Sequence, residues 1–387
     1  MNRQIERLSE DFVARFARDL YHCSSCNYCV DAVWPERGMS AVCATMEQHT
    51  RAPGYSGRGY IEAARAILEG QALDGDALGE RVFTCTTCGN CESACPIGLR
   101  PARIGRALRE ELLAADCVPA SIARAHEAFI EHGNLYGVAC AQRHAWANEI
   151  PVAEVASGAL LFVGCAAALT APDEARASLA LLRQAGVEAS VAATGCCGAP
   201  LAELGFAREA EALAHAAATQ LAGRKVVMVG AECRRQLHSP NGVEAQSFAA
   251  WLCTAVATGK LGIGWKNGVE RPAVVSLIES CQLKLGGPAG EEQAAAQLFS
   301  ALGIASGNPR YPNLHASCCG AAGGMPTMQP AAAARMAGAR LPAAGLAVTL
   351  DPRCAAHLRA SKGEGQAVLG FARFIDTYFT LKPQVRS

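Results

Sequence analysis

Two stretches of this chain place adjacent thiols beside glycine: Thr194-Gly195-Cys196-Cys197-Gly198-Ala199-Pro200 and Ser317-Cys318-Cys319-Gly320-Ala321-Ala322-Gly323-Gly324. Neighbouring cysteines pair badly with each other, because an S–S bond between them strains the intervening peptide. They can both point at one inorganic core if the flanking glycines let the backbone fold tightly around it. A Cys-Cys-Gly-Ala block occurring twice in one chain is improbable by chance. Both read as cradles for a metal cluster.

Two further runs stand upstream. Cys23-x-x-Cys26-x-x-Cys29 is followed by a displaced Cys43, and Cys85-x-x-Cys88-x-x-Cys91-x-x-x-Cys95 ends in Pro96. The second run has the bacterial ferredoxin spacing, in which the fourth cysteine ligates the other cluster. Its physical basis is local: Cys-x-x-Cys turns bring three sulfurs to one face, while the residue before proline is held extended and aims its thiolate away. The spacing therefore assigns one 4Fe–4S cluster to Cys85, Cys88, Cys91 and Cys43. The other falls to Cys23, Cys26, Cys29 and Cys95. A zinc site gives no reason for the terminal Cys-Pro.

The chain has 387 residues, zero formal net charge, 51% apolar and 18% charged residues, and nineteen cysteines. Such a chain forms a compact fold of two or three domains. Without a basic surface, nucleic acid is excluded as the main partner. A disulfide framework suits short secreted chains with a leader. Here Met1 to Asp19 carries four arginines and four acidic residues with no apolar core, and the cysteines cluster in triplets and doublets. A reducing, cytoplasmic compartment is expected. The longest uncharged stretch, Val155 to Pro172, reads as a buried strand running into a loop, so no membrane span is expected.

The elements that must position these thiols follow from the pattern. Ile5, Leu8, Phe12, Phe16 and Leu20 predict a helix over 4–20. Helices are also expected over 61–69 and, punctuated by Pro101 and Pro119, over 97–132. The first 132 residues make an α-helical domain, and 133–157 a linker. From Leu160 the period changes. Strands are expected at 160–163, 189–193, 225–229, 273–278 and 347–350, with helices at 172–185, 201–222, 291–302 and 331–344. The matched cysteines 165/281, 196/318 and 233/354 lie 116, 122 and 121 residues apart. That is an internal duplication, with one small α/β unit over 158–265 and another over 266–387. Each has its cysteines at strand ends, where open α/β sheets bind ligands.

On these residues the chain resembles the iron–sulfur electron-transfer proteins that join two ferredoxin motifs to two cysteine-rich CCG domains. Members include subunits of glycolate oxidase, of anaerobic glycerol-3-phosphate dehydrogenase and of heterodisulfide reductase. The resemblance rests on Cys85 to Pro96, Gly57-Arg58-Gly59, both Cys-Cys-Gly-Ala blocks, Glu279 to Leu283, and Cys354-Ala355-Ala356-His357-Leu358. It implies a ferredoxin-like helical domain followed by duplicated Rossmann-like CCG domains around cluster sites. Two departures stand out. The fourth cysteine of the first motif is displaced to Cys43, implying an inserted loop over 30–42. Where the heterodisulfide reductases have a fifth cysteine per unit, this chain has Gln236 and His357. Each unit then offers four thiolates: Cys165, Cys196, Cys197 and Cys233, and Cys281, Cys318, Cys319 and Cys354. Four suffice for one ordinary 4Fe–4S cluster. His357 reads as an outer donor or a surface residue. Cys117, Cys140 and Cys253 read as small buried apolar residues, His22, His238 and His315 as structural, and Arg234, Arg235 and Arg353 as solvated surface charges.

The expected function is that of an electron-transfer subunit. No Gly-x-Gly-x-x-Gly opens a helix after a strand, so neither flavin nor nicotinamide is expected on this chain. The substrate-oxidising chemistry would sit on a partner flavoprotein dehydrogenase. Electrons would leave to a quinone, a membrane subunit or a second carrier, within a hetero-oligomeric complex held to the inner membrane face through that partner. The competing reading is a catalytic subunit reducing a disulfide at a CCG-bound cluster. It needs the fifth cysteine that is missing here.

Overall fold

A computed structural model describes residues 3–32, 41–147, 158–272, 274–286, 290–306 and 318–384, except for the side chains of 238–241 and 306. Ser317, His315, the His238 side chain and parts of the expected inserted loop and linker lie outside the described residues. The chain is a mixed α/β protein with a helical N-terminal region and parallel sheets in its C-terminal half.

The N-terminal helix spans Glu10–His22, starting later than expected. Ser9 caps it by accepting from Phe12 N, the role that favours serine at this position. Upstream, Ile5 belongs instead to β1 (Gln4–Ile5), which pairs with β2 (Leu73–Asp74). Phe12, Phe16 and Leu20 form the buried stripe. They pack with Tyr60 and Ile61 of the Gly57–Leu68 helix and with Ile104, Leu108 and Leu112 of the Pro101–Ala114 helix. Pro101 sits at the first helical position, where its missing N–H costs nothing.

In the C-terminal half, β3 (Ala159–Val163), β4 (Ala189–Val191), β5 (Lys225–Val229) and β6 (Ala245–Ser247) form a parallel sheet in the order β4-β3-β5-β6. After β7 (Leu261–Trp265), a second parallel sheet combines β8 (Val274–Ile278), β9 (Ala305–Ser306), β10 (Gly345–Thr349) and β11 (Gln366–Gly370) in the order β11-β10-β8-β9. The first sheet therefore runs second, first, third, fourth in chain order, and the second runs fourth, third, first, second. β12 (Phe379–Pro383) returns to pair antiparallel with β7. One apolar core joins the sheets: Leu161, Val163, Val227 and Val229 from the first, Val275, Leu277 and Val348 from the second. Such near-continuous aliphatic strands are what a sheet covered on both faces requires.

The helix expected over 201–222 is two helices, Ala199–Leu204 and Ala207–Leu221. Gly205 breaks it at φ +92°, and a Cβ there would stand 2.5 Å from Arg109 Cβ. The break lets the N-terminal domain's Pro101–Ala114 helix approach the first sheet unit closely.

Candidate metal centres

The two N-terminal cysteine turns have the same backbone. Ser25 and Thr87, each two residues after the leading cysteine, are left-handed at φ 53° and 56°; Asn27 and Gly89, two further on, lie at 65° and 74°. A β-branched threonine at positive φ is uncommon, and such strain collects at functional turns. Here it turns backbone N–H groups inward: Thr87 N donates to Cys85 Sγ at 3.3 Å. Leu99 N donates likewise to Cys95 Sγ at 3.3 Å, just past the Cys-Pro.

The fold brings Cys23, Cys26 and Cys95 into electrostatic reach of Cys29, whose thiol is pushed up to about 12 by burial and by these neighbours. Cys43, Cys85 and Cys88 come together around Cys91, all with thiols raised, Cys91 chiefly by burial. A cavity of about 40 Å³ is lined by the first group together with Ile61, Ile97 and Leu99. Cys26 is exposed, as are Tyr28 and Ile97 beside it in sequence or in the cavity wall. The other group is walled off: a Cβ on Gly89 would stand 2.4 Å from Leu285.

Each C-terminal unit gathers its four cysteines at the carboxyl ends of its strands and the starts of helices. Cys165 opens the Cys165–Thr170 helix and Cys281 the Cys281–Gly286 helix. Cys233 and Cys354 lie in the first turns of Ala231–Asn241 and Pro352–Ala360. Helix starts carry unsatisfied N–H groups and positive potential, which favour thiolate. Gly198 N and Gly320 N donate to Cys196 Sγ and Cys318 Sγ, both at 3.4 Å. Cys197 and Cys233 sulfurs stand 3.2 Å apart, and Cys319 and Cys354 sulfurs 3.0 Å. A Cβ on Gly164 would stand 2.5 Å from Cys233 Sγ. All eight thiols are buried. In this crowd Cys354 is pushed well up by its contact with Cys319, while Cys319 is held down by the same shared proton. Among the described residues no three His, Cys, Asp or Glu side chains stand where a single metal ion would need them. The donor set fits a sulfur-ligated cluster: clustered buried sulfur, N–H groups aimed at it, and glycine where a side chain would intrude.

Residues that the cysteine pattern does not announce tie the sets together. Glu203 is buried and accepts from both ends of the Arg353 guanidinium at 2.9 and 3.0 Å, from Arg235 at 3.2 Å and from Gly323 N at 3.2 Å. Arg353 adjoins Cys354, Arg235 follows Cys233, and Gly323 follows the second Cys-Cys block. The two arginines hold the Glu203 carboxyl below its ordinary range against the opposing effect of burial. Arg109, wholly buried, donates to Val82 O and Cys85 O at 2.8 and 2.7 Å and to Glu203 O. Arg143 donates to Cys165 Sγ at 2.8 Å and to Val163 O at 2.9 Å.

Several expectations are corrected here. Arg353, Arg235 and Arg234 are paired charges in low-dielectric surroundings, not solvated ones, Arg234 bonding Glu291 at 2.8 Å with both nearly inaccessible. Unpaired burial would be costly; Arg353 and Arg235 share the Glu203 carboxylate, and Arg234 has Glu291. Cys140 is exposed, whereas Cys117 and Cys253 are buried. His357 Nε2 lies 3.1 Å from Ala333 O, a backbone anchor.

Together these features define a protein of several sulfur-lined cluster sites. Residues 19–99 match the family described as "4Fe-4S dicluster domain", and residues 159–238 and 275–359 both match "Cysteine-rich domain" (CCG). The chain thus belongs to the iron–sulfur proteins that join a dicluster domain to two CCG domains. It is also similar to the "Probable iron-sulfur-binding oxidoreductase FadF" of Bacillus subtilis (strain 168), at 27% identity over 180 residues, covering 38% of this chain and 25% of that protein. No helix among the described residues is long and apolar enough to cross a membrane.

Proposed function

We propose that this chain is an electron-transfer subunit carrying four clusters. Cys23, Cys26, Cys29 and Cys95 hold the first, and Cys43, Cys85, Cys88 and Cys91 the second. Cys165, Cys196, Cys197 and Cys233 hold the third, and Cys281, Cys318, Cys319 and Cys354 the fourth. Bound there, iron–sulfur clusters supply one-electron acceptance and release. The chain's own residues fix their spacing and keep water out: Glu203, Arg109 and Arg353 lock the cysteine turns to one another, and the C-terminal units act as Rossmann-like cradles.

The observation that carries this reading is the contact between sets. Cys88 stands in hydrogen-bonding reach of Cys318, the largest cause of its raised thiol. A ferredoxin-type set and a CCG set therefore meet side by side. The exposed first set, with Tyr28 and Ile97 around Cys26, supplies the surface where a partner flavoprotein docks. A quinone-reducing or membrane subunit accepts the electrons, and the complex works in the cytoplasm. Iron and sulfide analysis of anaerobically purified protein tests this: about sixteen iron atoms per chain are expected, four per four-thiolate set. Iron near eight would leave the CCG units without clusters and end the proposal. Partner capture that yields no redox protein would end its electron-transfer half.

A further inference from the structure

A large cavity in the described structure has no cysteine in its lining, although Ala202 and Ala210 in its wall pack against the first CCG set. It is a cleft of about 690 Å³ between the Pro101–Ala114 helix and the helices following the first CCG block, lined by Arg100, Arg103, Arg106, Glu110, His215 and Gln236, among others. Its charge is mostly positive. Arg100 is held in place by Asp19 at 2.8 Å and by its stacking over Phe16, while Arg103 lies 3.5 Å from Glu92. Arg106 differs from both: among the described residues it donates no hydrogen bond and forms no ion pair. Burial disfavours its charge, and around it the like charges of Arg235 and Arg103 are set against the carboxylates of Glu92 and Glu203, neither within ion-pair distance. A guanidinium has five donors and no way to lose its proton in a protein. This half-buried guanidinium has no protein acceptor among the described residues, so its donors are left to whatever occupies the cleft, water or an anion.

We propose that this cleft binds a small polyanion through Arg106, with Arg100, Arg103 and His215 around it. The guanidinium fork matches carboxylate and phosphate alike, so both belong to the ligand class. The volume fits a small metabolite. The site does not depend on the electron-transfer reading, since no cysteine lines it.

Isothermal titration of the intact, cluster-loaded protein tests the proposal, with pyrophosphate in one arm and malonate in the other. Saturable one-to-one binding is expected in at least one arm, and the tighter arm tells a phosphorylated ligand from a carboxylate one. Arg106→Gln should weaken it about tenfold or more, the worth of one charge-assisted hydrogen bond. His215→Glu, on the exposed rim, should weaken it by repulsion without touching the packing, and carries the test should Arg106→Gln fold poorly. Absence of saturable binding in both arms, or unchanged affinity in the variants, overturns the proposal.

Discussion

The two CCG units share cysteine placement and strand neighbours but face different surroundings. Counting from the Cys-Cys-Gly-Ala blocks, Leu201 and Ala202 of the first unit occupy the positions of Gly323 and Gly324 in the second. Leu201 is buried against Phe129, Cys165 and Cys196. At the second unit the space is taken by another part of the chain: a Cβ on Gly323 would stand 2.2 Å from Cys85 O, and one on Gly324 1.9 Å from Phe83 O. The first unit instead has Arg143 on one of its cysteines; in the second, the Gln282 amide lies 3.9 Å from Cys281 Sγ. One plan has thus been fitted to two tasks. The second unit's Cys-Cys block abuts the dicluster cysteine turn, whereas the first unit's block meets Phe129 and carries a positive charge at its thiolate.

The sharpest way to break this contrast is to empty one unit at a time. Cys318→Ser and Cys196→Ser should each lose about four iron atoms. Only Cys318→Ser should also alter the EPR signal of a dicluster-domain set, because Cys88 meets Cys318 and not Cys196. Equal spectral effects from the two variants would show the units to be interchangeable.

Gly324→Ala probes the same seam by packing alone. Gly324 is at φ −85°, a conformation alanine accepts, so the penalty comes from crowding, chiefly against the Phe83 carbonyl. About 3 kcal/mol of destabilisation is expected, at the top of the usual range for overpacking. The matched change in the first unit, Ala202→Gly, should cost about 1 kcal/mol, the helix-propensity difference. Chemical denaturation of both variants checks the pair, and similar losses would deny the seam any special tightness.

How much of this was legible beforehand depends on where the information lies. Cysteine spacing is local, so the two dicluster turns and both Cys-Cys blocks could be read directly, as could strands such as Lys225–Val229, whose aliphatic runs need no context. The hub could not. Arg109 and Glu203 look like ordinary polar residues on amphipathic helices, and only the docking of those helices buries them. Arg143 falls in a polar, aperiodic stretch that reads as linker, yet the Cys140–Ala147 turns bury it along with Trp146. Gly205 reads as a tolerable glycine in a long helix. The reason for its break is Arg109, far away in sequence, which no local pattern encodes.

A further test addresses how the units hold together. Glu174, just after the first unit's opening helix, accepts from Ala372 N and Arg373 N at the start of the second unit's Phe371–Tyr378 helix. Burial pushes its carboxyl up to about 7. The folded protein therefore keeps a proton that the unfolded chain gives up between about pH 4.5 and 7. Stability from this group is greatest below that window, falls as pH rises through it, and is level above. The full fall is about 3 kcal/mol, at about 1.4 kcal/mol for each tenfold gain in proton affinity. Glu174→Gln should remove that part of the pH dependence, so the stability of the variant relative to the native chain rises from about pH 5 to about pH 8. Parallel stability curves across this range would show that Glu174 does not titrate at the joint.

Arg143 tests the electrostatic half of the comparison. Adding an electron to a cluster adds negative charge, and a cation bonded to a ligating sulfur stabilises the reduced state more than the oxidised one. Losing such a bond forfeits about 1.5–3 kcal/mol. Since tenfold corresponds to about 59 mV for one electron, Arg143→Ala should lower the first unit's potential by up to about 65–130 mV. Arg143→Lys keeps the charge but not the bidentate reach to Cys165 and Val163, and should fall between. In the second unit, Gln282→Ala should shift the potential far less, because a neutral amide 3.9 Å from sulfur contributes little. EPR-monitored redox titration reads both units in one sample. A shift in the second unit's signal on mutating Arg143, or none in either, would mean that the asymmetry in contacts is not an asymmetry in driving force.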